Sequence, residues 1–524
     1  MDEPRVRPTS RQKQAATRAA SQSARSAAKP AAGAAVKKAA ATASKRAIKK
    51  AAQPAAPSSN GDSAARRSLP RREHAALGNL DRDPIELLDI SSAGRVAGLV
   101  PLRYGRMLES PFAFFRGSAI IQAHDLAGTP NSGIIIQIAG DCHLSNFGGF
   151  ASPERKLLFD LNDFDETAPG PWEWDLKRLS ASLMLVARHL RHKRGVGHDL
   201  VYAMVRSYQQ RMQEYAQMSL LDTWYDAISF ERLVAETDEP DVQKRIRRAM
   251  ERAADRTHHS LLSKLTEVVD GRMRMIDAPP HVFHIHGHHS LFDPKDDWLH
   301  LKDLDESRAV SATLDKAFKD YLESLAPDRR ELLSHFRRQD TAFKVVGVGS
   351  VGTRCLAQLL LDPAGEPLFL QIKEADVSVI SRYFRSKTPA HQGERVVQGQ
   401  RLMQAASDLF LGWFKGPRGR CFYVRQLRDM KLSVQIELLD AEMLGRYAGV
   451  CGWVLARGHA KAGGRARDIA AYLGRSDKFA TAMAAYADGY ADQVERDYGK
   501  FVDACRSGRL QARSDADMAQ DFRI

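Results

Sequence analysis

The 524-residue sequence contains no apolar run approaching the roughly 18 to 20 residues that cross a bilayer, so a soluble protein with no membrane partner is expected. Its first thirty residues hold basic and small side chains without the apolar core of a secretory signal, which points to the cytoplasm. Cysteine is scarce: Cys142, Cys355, Cys421, Cys451 and Cys505 are odd in number, scattered, and form no CxxC pair. That usage excludes a disulfide framework and a structural zinc site and suits a reducing compartment. Residues 1–80 hold almost no large apolar side chains and consist mainly of Ala, Lys, Arg, Ser and Pro, so little offsets the entropy of ordering them and a disordered tail is expected.

The body after that tail lacks net charge. Of 78 Lys+Arg and 64 Asp+Glu, residues 1–80 hold 17 and 4, which leaves 61 and 60 for everything that follows. The net charge of +14 therefore belongs to the tail. Such a tail suits loose, salt-sensitive contact with nucleic-acid phosphates or a solubilising role, and neither gives sequence-specific recognition.

What the chain does contain is concentrated in Gly140–Asp175. The apolar run Gly133–Gly140 delivers Asp141 into a polar turn that presents Asn146, and Lys156–Phe159 delivers the carboxylates Asp160, Asp163, Asp165 and Glu166. Phosphoryl transfer asks for this set, because a base must orient a hydroxyl while an amide and a carboxylate hold magnesium against nucleotide phosphates. Just upstream, Pro101–Met107 and Ser110–Gly117 place Phe112, Phe114 and Phe115 beside Arg103, Arg106 and Arg116. The aromatics read as a buried wall, and Arg116 is a candidate contact for phosphate or substrate.

From Leu176 the apolar spacing turns helical, through Leu176–Leu190, Val201–Met218, Val242–Val269 and Ala309–Phe336. His284 and His286 interrupt it in a histidine-rich stretch that lacks partners at zinc spacing and reads as surface. A second chemical segment begins at Lys344, where Gly347, Gly349 and Gly352 fit GxGxxG around Ser350. The break at Asp362–Pro367 comes too soon for a dinucleotide-binding helix, so Cys355–Leu361 and Leu368–Lys373 read as a hairpin. A glycine loop followed by a strand ending in lysine is the nucleotide grip of a protein kinase, with Lys373 reaching the α- and β-phosphates. Glu394, on a helix over Gln392–Ala406, is the candidate partner for that lysine. Strands at Phe410–Phe414 and Cys421–Leu427 and helices at Tyr447–Lys461 and Asp477–Asp503 complete the chain, with His459 and the stripe Tyr486, Tyr490, Val494, Tyr498, Phe501 read as packing.

The run GDCHLSN (140–146), followed by NDFDE (162–166) and GPWEWDL (170–176), resembles the active-site order of aminoglycoside phosphotransferases and choline kinases. Over almost all of the chain after the tail, SPFAFFRG, GDCHLSNFG, FDLNDFDET, GPWEWDLKRL, GQRLMQAASD and CGWVLARGHA resemble a bacterial family known as domain of unknown function 2252, a label that carries no activity. The kinase resemblance implies an α+β, two-lobed, protein-kinase-like fold. It also implies ATP or another nucleoside triphosphate with Mg2+, and a small-molecule hydroxyl acceptor of unknown identity.

In that scheme Asp141 orients the hydroxyl, and Asn146 and Asp163 hold magnesium. Gly347, Gly349, Ser350, Gly352, Lys373 and Glu394 bind the nucleotide, and Arg116 and His143 are candidate substrate or phosphate contacts. Asp160 and Asp165 are competing metal ligands, and Asp175 reads as a structural brace. The grip follows the catalytic loop instead of preceding it, so if both segments belong to one site the kinase-like fold is circularly permuted. The expected divisions are a tail (1–80), a catalytic-loop and helical lobe (81–335), a glycine-loop sheet (336–435) and closing helices (436–524). A nucleotide-binding pseudokinase or scaffold with a nucleic-acid-binding tail, a nucleotidyl transferase on the same fold, and a metal hydrolase using His143 with Asp141 and Asp163 are the alternatives.

Overall fold

The computed structural model describes residues 69–254, 262, 264–284, 291, 308–427 and 432–522. The expected disordered tail over 1–80 therefore lies outside the described residues except at its end. There Arg71–Ala75 forms a turn, and His74 is buried against Tyr472 and Phe479. The body begins earlier than composition implies, because one turn docks on a finished helix face without needing an apolar run of its own.

Four short helices follow: α1 (Pro84–Ser92), α2 (Val100–Met107), α3 (Pro111–Gly117) and α4 (Ala119–Ala127). Asp83 caps α1 through the Ile85 amide and Ser110 caps α3 through the Ala113 amide, each with proline in the first turn. Phe112, Phe114 and Phe115 are buried as expected. Arg103 donates to Ser91, Ser92 and the Gly117 carbonyl, and Arg106 pairs with Asp515, so both arginines serve the fold.

Two small antiparallel pairs carry the opening stretch. β1 (Ile135–Ile138) pairs with β4 (Ala168–Pro171), and β2 (Phe147–Ala151) pairs with β3 (Leu157–Leu161). Helices α5 (Glu173–His189), α6 (Arg194–Tyr215), α7 (Leu220–Tyr225), α8 (Phe230–Ala235) and α9 (Pro240–Ala254) come next. Nearly every residue of α5 is buried, which makes it the central helix of the body.

The expected helix over Val242–Val269 is too long: Thr266–Val269 is strand β5, paired with β6 (Arg272–Met275). Asp270 and Gly271 both have positive φ between them, the two-residue hairpin turn that Asp-Gly favours, and this local chemistry overrides a loose three-and-four spacing. His284 also departs from expectation. It is largely buried and bridges Asp277 and Asp340, which together raise its pKa, whereas His286 lies outside the described residues.

The later sheet is built from β7 (Val282–Phe283), then, after α10 (Arg308–Glu323) and α11 (Pro327–Ser334), from β8 (Arg337–Lys344), β9 (Cys355–Leu361) and β10 (Pro367–Ala375). Helices α12 (Val379–Tyr383) and α13 (Gln392–Met403) precede its last strands, β11 (Gly412–Lys415) and β12 (Cys421–Gln426). The order is β11-β12-β10-β9-β8-β7, antiparallel throughout. The β9–β10 hairpin falls where expected, because the Asp362 carboxylate accepts the amides of Ala364 and Glu366 and closes the turn.

β13 (Leu432–Ser433), inside the segment expected as the sheet lobe, instead joins β2. The closing helices are α14 (Ala441–Gly463), α15 (Ala466–Leu473), α16 (Lys478–Arg506) and α17 (Asp515–Asp521); α14 packs along α6, and α16 along α5 and α6. Tyr486, Tyr490, Val494 and Phe501 are buried in that packing. The fold is α+β, and no helix among the described residues is long and apolar enough to cross a membrane.

Candidate active site

The catalytic-loop half is positioned from below by α5. Asp175, in its first turn, accepts the amides of Ala139 and Gly140 at 2.7 and 2.9 Å and contacts His459 Nε2 at 3.1 Å, so it is the expected brace. His459 is fully buried, with Tyr208 on its other nitrogen, and is structural. Gly140 has φ of +82°, and a Cβ there would stand 2.2 Å from the Glu166 carbonyl, so only glycine lets the chain turn into Asp141.

One turn along α5, Arg178 donates from Nε to Asp141 Oδ1 at 2.8 Å. Its other nitrogens reach Gln122 and the Phe115 carbonyl, and its guanidinium lies 3.7 Å from the Phe115 ring centroid. Arg178 fixes Asp141 through one oxygen and leaves Oδ2 toward the cleft, 3.8 Å from His143 Nε2.

The β2–β3 register supplies the next residues. Phe147 lies opposite Leu161, and the Asn162 amide donates to the Asn146 carbonyl at 2.8 Å, which holds Asn146 beside Asn162 and Asp163. The Asn146 side-chain nitrogen donates to the Asp141 carbonyl at 2.7 Å, so its amide oxygen is the acceptor left for a ligand. Asp160 is not part of the site. It is buried, ion-paired to Arg457 at 2.9 Å and bonded to the Ala405 amide.

The sheet half arrives through Asp165. Lys373 and Tyr423 are cross-strand neighbours on β10 and β12; Lys373 forms an ion pair with Asp165 Oδ2, and the Tyr423 hydroxyl donates to Asp165 Oδ1 at 2.7 Å. Ser350, at the tip of the glycine loop, lies 3.4 Å from Asp165 Oδ2. Arg425, opposite Gln371, donates to the Asn162 carbonyl at 3.2 Å, and Arg395 on α13 donates to the carbonyls of Asp165, Thr167 and Asp376.

The carboxylates respond in opposite directions. Burial pushes Asp165 up, but Lys373 and Tyr423 outweigh it and hold its pKa below the usual range. Asp163, with burial and the Asp165 charge against it, is raised. Burial opposes the Lys373 charge, and Asp163 and Asp165 more than reverse that. Glu166, whose Oε2 accepts the Val379 amide, is pushed by burial up to about 7.

These groups share one cleft of about 560 Å3, a size suited to a small ligand or nucleotide. Asp141, His143 and Asn146 line it with Asp163, Asp165 and Lys373. Gly347, Gly349, Ser350 and Arg116 are also at its surface. Gly352, with φ of +86°, turns the glycine loop back, and its carbonyl accepts the Val96 amide at 2.7 Å while Arg95 donates to the Val351 carbonyl.

The expected pairing of Lys373 with Glu394 is not present. Glu394 lies on a partly exposed face and accepts from Gln398, while the next residue, Arg395, turns inward, because helical rotation puts Arg395, Val396 and Gly399 on the buried face of α13. No sequence motif marks Arg178, Tyr423, Arg395 or Arg425 as site residues. The one signal available was an arginine set on the otherwise apolar face of Leu176–Leu190.

The described residues contain no group of three or more His, Cys, Asp and Glu side chains placed to hold a metal ion. Magnesium bound to nucleotide phosphates needs only one or two carboxylates, and the oxygens of Asn146, Asp163 and Asp165 are of the right hardness. All five cysteines are free.

Fold and cleft together define an α+β protein in which an antiparallel sheet closes a polar, carboxylate-rich site on a helical body. The chain belongs to the family described as uncharacterized protein conserved in bacteria (DUF2252), whose family model matches residues 95–504. No curated protein and no solved structure matches the chain.

Proposed function

We propose that this protein is an ATP- and magnesium-dependent phosphotransferase acting on a small hydroxyl acceptor in the cytoplasm, on a circularly permuted protein-kinase-like fold. The observation that carries the proposal is the meeting of Lys373 with Asp163 and Asp165 in the cleft that also holds Asp141 and Asn146. The sheet supports it as well: a glycine loop joins β8 to β9, the lysine stands on the third strand β10, and a helix, α13, follows before β11 and β12, an order like that of a kinase's nucleotide-binding sheet.

Permutation is supported by where the body begins and ends. Arg509 lies 3.6 Å from Asp83, the Arg513 amide donates to the Pro101 carbonyl at 2.9 Å, and Arg106 pairs with Asp515. Neighbouring ends are what a permuted chain requires.

In the proposed reaction the acceptor hydroxyl oxygen forms a bond to the γ-phosphorus as the bond from that phosphorus to the β–γ bridging oxygen breaks. The nucleoside diphosphate departs, and the hydroxyl proton passes to Asp141 and then to solvent. Asp141, steadied by Arg178, orients the hydroxyl, and Lys373 positions the α- and β-phosphates beneath Gly347, Gly349 and Gly352. Asn146 and Asp163, with Asp165 once it exchanges Lys373 for the metal, would hold magnesium, which when bound neutralises phosphate charge.

A nucleotide-binding pseudokinase is favoured by one observation, that Lys373 is already paired with Asp165 and no glutamate of α13 reaches it. Nucleotidyl transfer would use nearly the same residues. Incubation of the full chain with magnesium and ATP labelled at the α- or γ-phosphate separates the three: γ-label moves to an acceptor if the proposal holds, α-label if the chain is a nucleotidyl transferase, and neither label for a scaffold. Equal turnover in Asp163→Ala, or no thermal shift with ATP and magnesium, would sink the proposal. The basic segment before Arg71 would add loose nucleic-acid binding that weakens steeply with salt.

A further inference from the structure

The cleft holds more cations than the nucleotide half accounts for, and they differ in how they are held. Arg95 and Arg425 are tied to carbonyl and amide oxygens, Arg103 to serines and a carbonyl, and Lys373 to Asp165. Among the described residues, Arg116 makes no hydrogen bond or ion pair. Its guanidinium lies 5.8 Å from the Phe112 ring centroid, and its Nε is sealed from solvent with no partner. A guanidinium has five donors and cannot shed its charge, and the terminal nitrogens, unlike Nε, are not sealed from solvent, so they remain free at the cleft to take an anion.

His143 stands beside it in the same cleft, 4% exposed, with a buried and unpartnered Nδ1. Burial and the neighbouring Arg116 and Arg178 charges keep its ring neutral, so it offers one N–H and one lone pair.

The position of Arg116 chooses between two anions. Its carbonyl lies beneath the glycine-loop tip, 3.2 Å from where a Gly349 Cβ would be, but the preceding residue, Phe115, accepts Arg178 through its carbonyl and carries the Arg178 guanidinium on its ring, and Arg178 in turn holds Asp141. The cation on Asp165 is Lys373, and Arg116 makes no hydrogen bond or ion pair with either Asp163 or Asp165. Arg116 therefore belongs to the hydroxyl-orienting side of the cleft, not to the metal and nucleotide side.

We propose that Arg116 and His143 form an anion subsite for the acceptor, so that the molecule phosphorylated is a hydroxyl compound carrying its own oxyanion, a phosphate monoester or carboxylate, a few bonds from the reacting hydroxyl. A bidentate guanidinium contact would place that oxyanion, and with it the hydroxyl, against Asp141. The assignment of the two sides as acceptor and nucleotide rests on the phosphotransferase proposal; the anion subsite itself does not.

The test is calorimetric titration of the full chain, saturated with Mg-ADP, with glycerol 3-phosphate, glycerate and glycerol, which differ only in the charged group. Glycerol 3-phosphate or glycerate binds and glycerol does not; whichever of the two binds identifies the oxyanion. Arg116→Gln lowers that anion's affinity by about 10- to 100-fold and Arg116→Lys by less, while Mg-ADP affinity, which also reports that the variants are folded, stays within about twofold. Lys373→Met shows the reverse pattern.

The proposal is overturned if Arg116→Gln weakens Mg-ADP as much as Lys373→Met does, if glycerol binds as well as the anions, or if neither these anions nor inorganic phosphate bind at millimolar concentration. If Mg-ADP fails to bind the natural sequence while anion affinity still depends on Arg116, the phosphotransferase proposal falls and the anion subsite stands.

Discussion

The two halves of the cleft are anchored in different ways. The catalytic-loop half is set into the core: Asp160 and Asp175 are almost fully buried, and Arg457, His459 and main-chain amides satisfy them. The sheet half carries its active groups on a hairpin and a glycine loop, and it is joined to the first half through Asp165, Glu166 and the Asn162 carbonyl. The first half is a fixed platform, and the second is held by contacts that a ligand can exchange. Where a carboxylate can be spared, it faces the cleft; where it cannot, it is inside.

The strongest way to break this comparison is at the joint. Lys373→Met should lower phosphoryl transfer by about a thousandfold, measured by label release from ATP, with the chain still folded. Next comes the platform. Arg457→Met leaves Asp160 buried without its cation and should cost about 3–5 kcal/mol in urea unfolding, and a joint Asp160→Leu change should recover much of that. A cost near zero for Arg457→Met would make the platform no more fixed than the sheet.

Asp141→Asn should lower turnover by about a hundredfold with Mg-ADP affinity unchanged, because in the proposed reaction it removes only the group that orients the hydroxyl. A smaller effect concerns Glu166. Its pKa is raised by burial from 4.5 to about 7. The folded state therefore holds the proton more tightly, and this group's contribution is complete below its unfolded value and lost as pH rises through about 7. Glu166→Gln should flatten the fall in stability across that window by about 2 kcal/mol, read from urea midpoints. Last, Glu394→Ala on the exposed side of α13 should change stability by less than about 0.5 kcal/mol and leave turnover intact. A thousandfold loss there would mean that Glu394 replaces Asp165 on Lys373 during the reaction.

What was legible in the sequence follows the same division by range. The Cys355–Leu361 and Leu368–Lys373 strands could be read because the Asp362–Gly365 turn fixes them locally. The Asp141-to-Asn146 loop could be read because its hydrogen bonds close within five residues. The choice among Asp160, Asp163 and Asp165 could not, since it depends on Arg457 and Lys373, far along the chain. Nor could Arg395 be preferred to Glu394 or Arg178 be paired with Asp141, because a helix's apolar pattern says which face is buried but not what a charge on that face will meet. The helical spacing over Val242–Val269 misleads for the converse reason, because the local Asp270-Gly271 turn overrides it and makes Thr266–Val269 a strand.

The braces also set a timetable. Asp160 and Arg457 are 297 residues apart, and Asp175 and His459 are 284. At about 5–20 residues per second on the ribosome, the two aspartates are made roughly 15–60 s before their partners. During that interval the platform cannot close, however early its own strands pair. A nascent chain interrupted before α14 would expose the apolar faces of α5 and β3, which makes it a substrate for chaperones and proteases until the last helices are made.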